Sequence, residues 1–216
     1  MFENVSVNTQ SSIRIEHEGA VVYIDPWKIE NAAADADVIC LTHNHFDHLS
    51  PEDIKKVSHP GTLVLAPYSM EDELNEKLAE LTDDNFEFLE PGDEIEIDDI
   101  RIEAVAAYNT NKEFHKKEYG WLGYIIELGG VKYYASGDTD VTEEIKEVKC
   151  DVAMVPIGGV YTMDMDEAAA YINELAPKYV IPIHFGVVEG VGAIGDDEIF
   201  AGKINKETEV VYKLHR

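Results

Sequence analysis

Residues 38–53 read VICLTHNHFDHLSPED. The opening, VICLTH at 38–43, is an apolar run of strand length and strand composition. It runs straight into His43, His45, Asp47 and His48, four side chains of metal-ligand type within six residues. Ser50 then offers an N-cap, Pro51 a first helical position and Asp53 an acid in the first turn, so a short helix is expected there. Strand, cluster and capped helix come in the order that a site at a strand's C-terminal end requires. That order argues against the bland alternative, a surface loop rich in histidine. In an extended turn His43 and His45 point the same way, because strand side chains alternate with period two. They can hold one metal through their imidazoles, and Asp47 and His48, just beyond, can hold a second. Imidazole with carboxylate suits zinc, manganese or iron.

Upstream, SIRIEHE (12–18) and AVVYIDP (20–26) alternate apolar and polar residues around Glu18-Gly19, a hairpin pattern. Downstream, TLVLAP (62–67) reads as a strand. SMEDELNEKLAELTDD (69–84) has helical period, with Leu74, Leu78 and Leu81 on one face. A run of strands follows: FEFLE (86–90), EIEIDD (94–99), IRIEAVAAY (100–108), GYIIEL (123–128) and VKYYAS (131–136). Pro-Gly, Asp-Asp and Gly-Gly turns join them. VAMVPI (152–157) is another strand, and DMDEAAAYINELAP (164–177) a helix with Asp164 and Glu167 as a capping box. YVIPIHFG (179–186) is a strand running into His184. DEIFAGKIN (197–205) reads as a helix and TEVVYKL (208–214) as a last strand. Nothing resembles a linker, so residues 1–216 are expected to form one α/β (α+β) domain. Two β-rich halves should meet near residues 95–105, as two sheets packed face to face with helices outside.

Composition narrows the function. At 216 residues and 45% apolar content, the chain can bury a sizeable core. The formal net charge of −27 repels phosphate backbones and anionic membranes, which disfavours both as partners. It fits a solubility strategy or a salty cytoplasm, with a cationic substrate as the weaker alternative. Cys40 and Cys150 form no metal-type pair and no disulfide framework. The opening MFENVSVNTQSS lacks the basic and apolar regions of a signal peptide. No apolar run nears the ~18 residues of a membrane span. A cytoplasmic protein is expected.

The segment 43–48 has the form H-x-H-x-D-H between a strand and a helix. In this the chain resembles the metallo-β-lactamase superfamily, and the resemblance covers nearly its whole length. SGDTD (136–140) is similar to the family's Gly-Asp-Thr segment, whose aspartate bridges two metals; the resemblance implies that role for Asp138. IPIHFG (181–186) is similar to the late strand that ends in a ligand histidine, which implies His184. Alone, Asp138 also reads as a turn residue and His184 as a core histidine. The implied fold is the four-layer αββα sandwich, with two divalent metal ions at one edge between the sheets. Zinc is the first choice, with manganese or iron as alternatives. IDPW (24–27), GDTD, PIGGVYTM (156–163) and EAAAYINELAPKYVIPIHFG (167–186) look most like a small group. It includes ascorbate-6-phosphate lactonase and many metal-dependent hydrolases.

The superfamily usually carries a further histidine after the strand that ends IEAVAAY. The position that aligns most simply is Asn109. His115 stands six residues on, in KEFHKK, and is expected to swing in as the replacement ligand. Asn-Thr-Asn is turn-prone and allows that reversal, with Phe114 burying against the site. The alternative keeps Asn109 as a weak ligand, or water in its place, and leaves His115 to the substrate. Asp25, ending VVYIDPW, is a candidate acceptor for a ligand histidine's second N–H; an ordinary Asp-Pro turn is the alternative. His17, His59 and His215 read as solvated.

No Ser, His and Asp arrangement and no Gly-x-Ser-x-Gly is present. The expected nucleophile is metal-bound hydroxide, since a bound metal lowers the pKa of water from 15.7 to about 7. Asp47 and Asp138 hold the metal pair and orient the attacking oxygen. A small-molecule lactone, ester or phosphodiester is the expected substrate. Lys112, Lys116 and Lys117 offer contacts for an anionic substrate group, against the alternative of a solvated loop. Tyr161 and Thr162 offer another wall. The superfamily's flavin-linked oxidoreductases carry Glu where His45 stands, and its tRNA endonucleases need a basic surface. The rival from another class is a non-catalytic metal-binding sensor or scaffold.

Overall fold

The hairpin expected at Glu18-Gly19 joins β2 (Ile13–His17) to β3 (Ala20–Ile24), and β1 (Val5–Val7) adds to its outer edge. The parallel strands β4 (Val38–Cys40), β5 (Leu63–Pro67) and β6 (Phe86–Leu89) complete a six-stranded sheet in chain order. Helices α1 (Pro51–Val57) and α2 (Glu71–Lys77) make its crossovers. The second sheet has the same plan. An antiparallel meander of β7 (Glu94–Ile97), β8 (Ile100–Ala106), β9 (Leu122–Leu128) and β10 (Val131–Ala135) comes first. Parallel β11 (Val152–Pro156), β12 (Tyr179–Ile183) and β13 (Glu209–Val210) follow. They are linked through α3 (Glu143–Lys146), α4 (Met165–Leu175) and α5 (Asp197–Ala201). The computed structural model describes residues 2–79, 85–186 and 195–214.

Alternation along the strands gives each sheet two buried faces. Val22, Ile24 and Cys40 face Ile102, Tyr124, Met154 and Ile181 between the sheets. Val21, Tyr23 and Ile39 turn outward onto Ile54, Val57, Leu74 and Leu78 of the first helical layer. Ala153, Val155 and Val180 turn outward onto Ala168, Ile172 and Phe200 of the second. The result is the αββα sandwich, and it explains why the parallel strands are apolar almost throughout. Truncating Ile181, fully buried between the sheets, to Ala costs about 2–5 kcal/mol.

Several boundaries differ from the sequence reading. The sheets change over between Leu89 and Glu94, ahead of residues 95–105. The strand expected over 38–43 stops pairing at Cys40, because the Thr42 N–H leaves the ladder to bond the Asp25 carboxylate. The helix expected over 69–84 begins with a 3-10 turn at Tyr68–Met70 and continues as α2 only to Lys77. Leu74 and Leu78 are buried as expected, while Leu81 lies outside the described residues. The helix over 197–205 ends at Ala201, and the last strand pairs only at Glu209–Val210. The short β1 and α3 had no legible pattern. His17 is exposed and His59 half-buried; His215 lies outside the described residues. No helix among the described residues is long and apolar enough to cross a membrane.

Candidate metal centre

The segments that follow β3, β4, β8, β10 and β12 meet at one edge of the sandwich. They bring Asp25, the 43–48 cluster, Asn109 with His115, Asp138 and His184 together. Three sets of donors converge, with the ligand atoms of each set within 4.8 Å of one another: His43, His45 and His115; His43, His48 and Asp138; Asp47, His48 and His184. The His43 Nε2 and His45 Nδ1 nitrogens are 3.1 Å apart. Asp138 stands in the middle. Its Oδ2 is 3.4 Å from His115 Nε2, 3.5 Å from His48 Nε2, 3.3 Å from His184 Nε2 and 4.0 Å from His43 Nε2. Asp47 Oδ2 lies 3.3 Å from His184 Nε2 and 3.7 Å from His48 Nε2.

The local sequence orients these rings. The fully buried Asp25 accepts from His48 Nδ1 at 2.7 Å, from the Thr42 hydroxyl at 2.6 Å and from the Thr42 N–H at 2.8 Å. The single proton of the Thr42 hydroxyl goes to Asp25, so its oxygen accepts from His43 Nδ1 at 2.9 Å. Asn109 Oδ1 accepts from the His115 N–H and from His115 Nδ1. Three imidazoles thus have their Nδ1 atoms bonded outward, which turns each Nε2 toward the centre. His184 is held by backbone instead, its N–H bonded to Gln10 O at 3.2 Å. Asp25 (φ 44°) and His184 (φ 50°) both sit in the left-handed region, strain of the kind that collects at functional sites.

Electrostatics puts His43, His45, His115, Asp47 and Asp138 in their metal-binding forms, while His48 holds a proton that a cation would have to displace. Burial and the neighbouring His48 hold His43 well below the ordinary histidine range, burial lowers His45, and burial brings His115 to about 4. All three are neutral at pH 7. Burial pushes the carboxyl of Asp138 up, but His184 and His48 outweigh it and hold the group well below the ordinary range. Asp47 is likewise lowered, by His184 and His48 against burial. Burial pulls His48 down, but Asp138 and Asp25 raise it well above 6.5.

The donor set fits two small divalent cations. His48 Nε2, His115 Nε2, His184 Nε2 and Asp138 Oδ1 are buried without a hydrogen-bond partner, a state that needs a specific explanation. Two nitrogens bound tetrahedrally at 2.0–2.1 Å stand roughly 3.3 Å apart, close to the spacings here. The observed layout is three imidazoles on one side, Asp47, His48 and His184 on the other, and one carboxylate between.

Two contributors carried no sequence signal. Trp121 lies against three of the rings, with centroids 4.8 Å from His43, 5.0 Å from His45 and 5.5 Å from His115. Asp140, the last residue of SGDTD, is buried and accepts from Asn109 Nδ2 at 3.2 Å, from the Thr110 N–H at 2.8 Å and from Lys112 Nζ. It ties down the loop that carries His115. Lys112 is therefore committed to Asp140, while Lys116 pairs with Glu113 and Lys117 with Glu144. A cavity of about 190 Å³ opens on the centre, lined by His45, Phe46, Asp47, Phe114, Asp138, Tyr161 and His184. Tyr161 is a wall; Thr162 is buried, its hydroxyl bonded to Met163 O, and is not among the lining residues. Phe114 does not bury against the site as expected. It is 47% exposed at the mouth, with its ring edge-on to Tyr161 at 4.7 Å.

A family model described as a β-lactamase superfamily domain matches residues 4–184. The chain belongs to the metallo-β-lactamase superfamily. Within it, the chain is 30% identical over 202 residues to a UPF0173 metal-dependent hydrolase of Thermococcus onnurineus, covering 88% of this chain and 87% of that one. A similar relative from Thermoplasma acidophilum is 30% identical over 184 residues, 80% of this chain and 79% of its own. Among solved structures, a metal-dependent hydrolase from Parabacteroides distasonis superposes with a TM-score of 0.80 at 26% identity, covering 98% of this chain and 93% of that one. Igni18, a metallo hydrolase from Ignicoccus hospitalis, shares the fold at a TM-score of 0.77 and 22% identity, over 97% and 94% of the two chains.

Proposed function

We propose that the chain is a metal-dependent hydrolase with a dinuclear centre, acting through activated water on a small-molecule lactone, ester or phosphodiester. The observation that carries this reading is the position of Asp138, one ionised carboxylate within 4.0 Å of imidazole nitrogens from both donor sets. His43, His45 and His115 hold the first cation, with Asn109 behind His115 rather than on the metal. Asp47, His48 and His184 would hold the second, with Asp138 available to both. When bound, two such cations would lower the pKa of water from 15.7 to about 7 and would polarise the attacked carbonyl or phosphoryl oxygen. Zinc suits three imidazoles best, with manganese or iron as alternatives.

The chain's own residues supply the rest. Asp47 and Asp138, held ionised, accept hydrogen bonds from the attacking water and fix its approach. Asp25, Thr42 and Asn109 orient the ligand rings. Trp121 closes the space behind three of them. The cavity that reaches Asp47, Asp138 and His184 lets a substrate in, which a closed sensor or scaffold site does not need. One domain spanning residues 1–216 carries this activity. The charge of −27 and the sequence pattern support a cytoplasmic setting without nucleic-acid or membrane partners.

The test is a screen of zinc-, manganese- and iron-reconstituted protein over lactones, carboxyl esters and phosphodiesters. Turnover of one class, abolished by chelation and restored by metal, is expected. Activity that survives both chelation and Asp47→Ala contradicts the reading.

A further inference from the structure

The mouth of the cavity is built from aromatic rings. Phe46 is 58% exposed and Phe114 47% exposed, yet both line the opening together with Tyr161. Each is propped from behind. Phe46 lies edge-on to Trp27 at 5.9 Å, and Phe114 lies edge-on to Tyr161 at 4.7 Å. Exposed phenylalanines held in place around an opening are unlike singly scattered surface residues, because they keep apolar faces in water. Among the described residues, no lysine or arginine lines the cavity. The lysines of the neighbouring loop are turned to acids: Lys112 to Asp140, Lys116 to Glu113 and Lys117 to Glu144. Lys28, beside Trp27, holds its ammonium over the indole ring at 4.3 Å. The surrounding protein carries a formal charge of −27, which lowers the local concentration of anions.

We propose that the substrate is an uncharged ester or lactone whose acyl or leaving group carries an apolar ring, seated between Phe46, Phe114 and Tyr161. This rests on the hydrolytic reading above and selects within it, against phosphodiesters and other substrates with an anionic tail. At about 190 Å³ the cavity is below the roughly 300–1,000 Å³ of sites for drug-sized ligands. It accepts the reacting group and one ring, and any larger remainder extends past the two phenylalanines. For an aryl acetate, water oxygen bonds to the acyl carbon and the bond to the phenol oxygen breaks. One water proton ends on the phenol and the other is released as the acid ionises. No further reactant is needed.

The probes are phenyl acetate, its 4-sulfonate and its 4-trimethylammonium derivative, whose charges sit at the far end of the ring from the ester. With metal-loaded protein, kcat/KM for phenyl acetate is expected to exceed that of the sulfonate by about tenfold or more, and not to fall below that of the ammonium compound. In Phe114→Ala and Phe46→Ala, the preference for phenyl over methyl acetate should drop about tenfold, mainly through KM, with the fold kept and the melting temperature lowered by only about 2–4 °C. A second readout does not depend on turnover. Saturation-transfer NMR should show acetanilide binding at the mouth and N-acetylsulfanilate not, with the acetanilide signal lost in Phe114→Ala. If no ester is hydrolysed, the hydrolytic reading fails while the NMR comparison still decides the character of the mouth. Equal or better use of the sulfonate, a preference for the ammonium compound, or selectivity that survives both phenylalanine substitutions overturns the proposal.

Discussion

Asn109 Oδ1 accepts two hydrogen bonds from His115, one from its backbone N–H at 3.1 Å and one from Nδ1 at 3.0 Å. Asn109, standing where the superfamily usually carries a ligand histidine, thus folds the loop back and aims His115 inward. Its own amide is fixed in turn by Asp140 Oδ1 and Tyr161 O. In the proposed centre His115 is the donor and Asn109 its positioning residue. Asn109→Ala should weaken the first metal site about 10–100-fold, and Asn109→Asp, which keeps the acceptor but loses both donors and sets a carboxylate against the buried Asp140, should weaken it as well. His115→Ala should lower affinity further, with activity partly recovered by excess metal. Competition against a chromogenic chelator reads all three; unchanged affinity in His115→Ala rules out the assignment.

Asp25 should prove structural as well as positional. It is fully buried and accepts from His48 Nδ1 at 2.7 Å, with the Thr42 hydroxyl farther off at 3.4 Å. Asp25→Ala leaves His48, raised well above its ordinary pKa, without its nearest carboxylate partner. A loss of about 3–5 kcal/mol is expected for breaking such a buried pair, read as a lower urea midpoint. Asp25→Asn should cost less. A midpoint within error of wild type in Asp25→Ala contradicts this.

Gly137 is needed where it stands. Its φ is +63°, and a Cβ there would meet Leu122 O at 2.7 Å and Thr42 Cβ at 3.3 Å. Gly137→Ala should cost about 1–3 kcal/mol from backbone conformation alone. It should also weaken metal binding, because the next residue is Asp138. Thermal melts with and without zinc separate the two effects.

Much of this was legible. The 43–48 cluster sits between an apolar run and a capped helix, and Ser50 caps α1 in the structure. Alternating residues in β2, β3 and β8 announced the sheets, and the Asp164–Glu167 capping box is formed in full. The rest depended on contacts between residues distant in sequence. Trp121 reads as a strand-flanking aromatic until its ring is seen against His43, 78 residues earlier. Asp140 looks like one more acid in an acidic chain. Lys112 and Lys117 looked available to an anion, because their acidic partners, Asp140 and Glu144, lie on other segments, whereas Lys116 pairs with Glu113 within its own loop.

Glu144 should give a small acid-range signature. Hydrogen bonds from Lys117 and Tyr108 bring its pKa from 4.5 to about 2. A depressed carboxylate stabilises the fold above its unfolded pKa, and that contribution is lost as pH falls from 4.5 toward 2. Lys117 and Glu144 are partly exposed, at 63% and 37%, so screening limits the gain to about 0.2–1 kcal/mol. Glu144→Gln should flatten stability against pH in that window and leave the slope above pH 5 unchanged. A steeper acid limb in the variant is the contrary result.

The proposed centre holds two metals with Asp138 between them. Elemental analysis of protein purified without chelator and reconstituted with zinc, manganese or iron tests it most directly. Two ions per chain are expected, falling to one in Asp47→Ala as the second set loses its carboxylate. Fewer than one ion per chain after reconstitution with all three metals contradicts it.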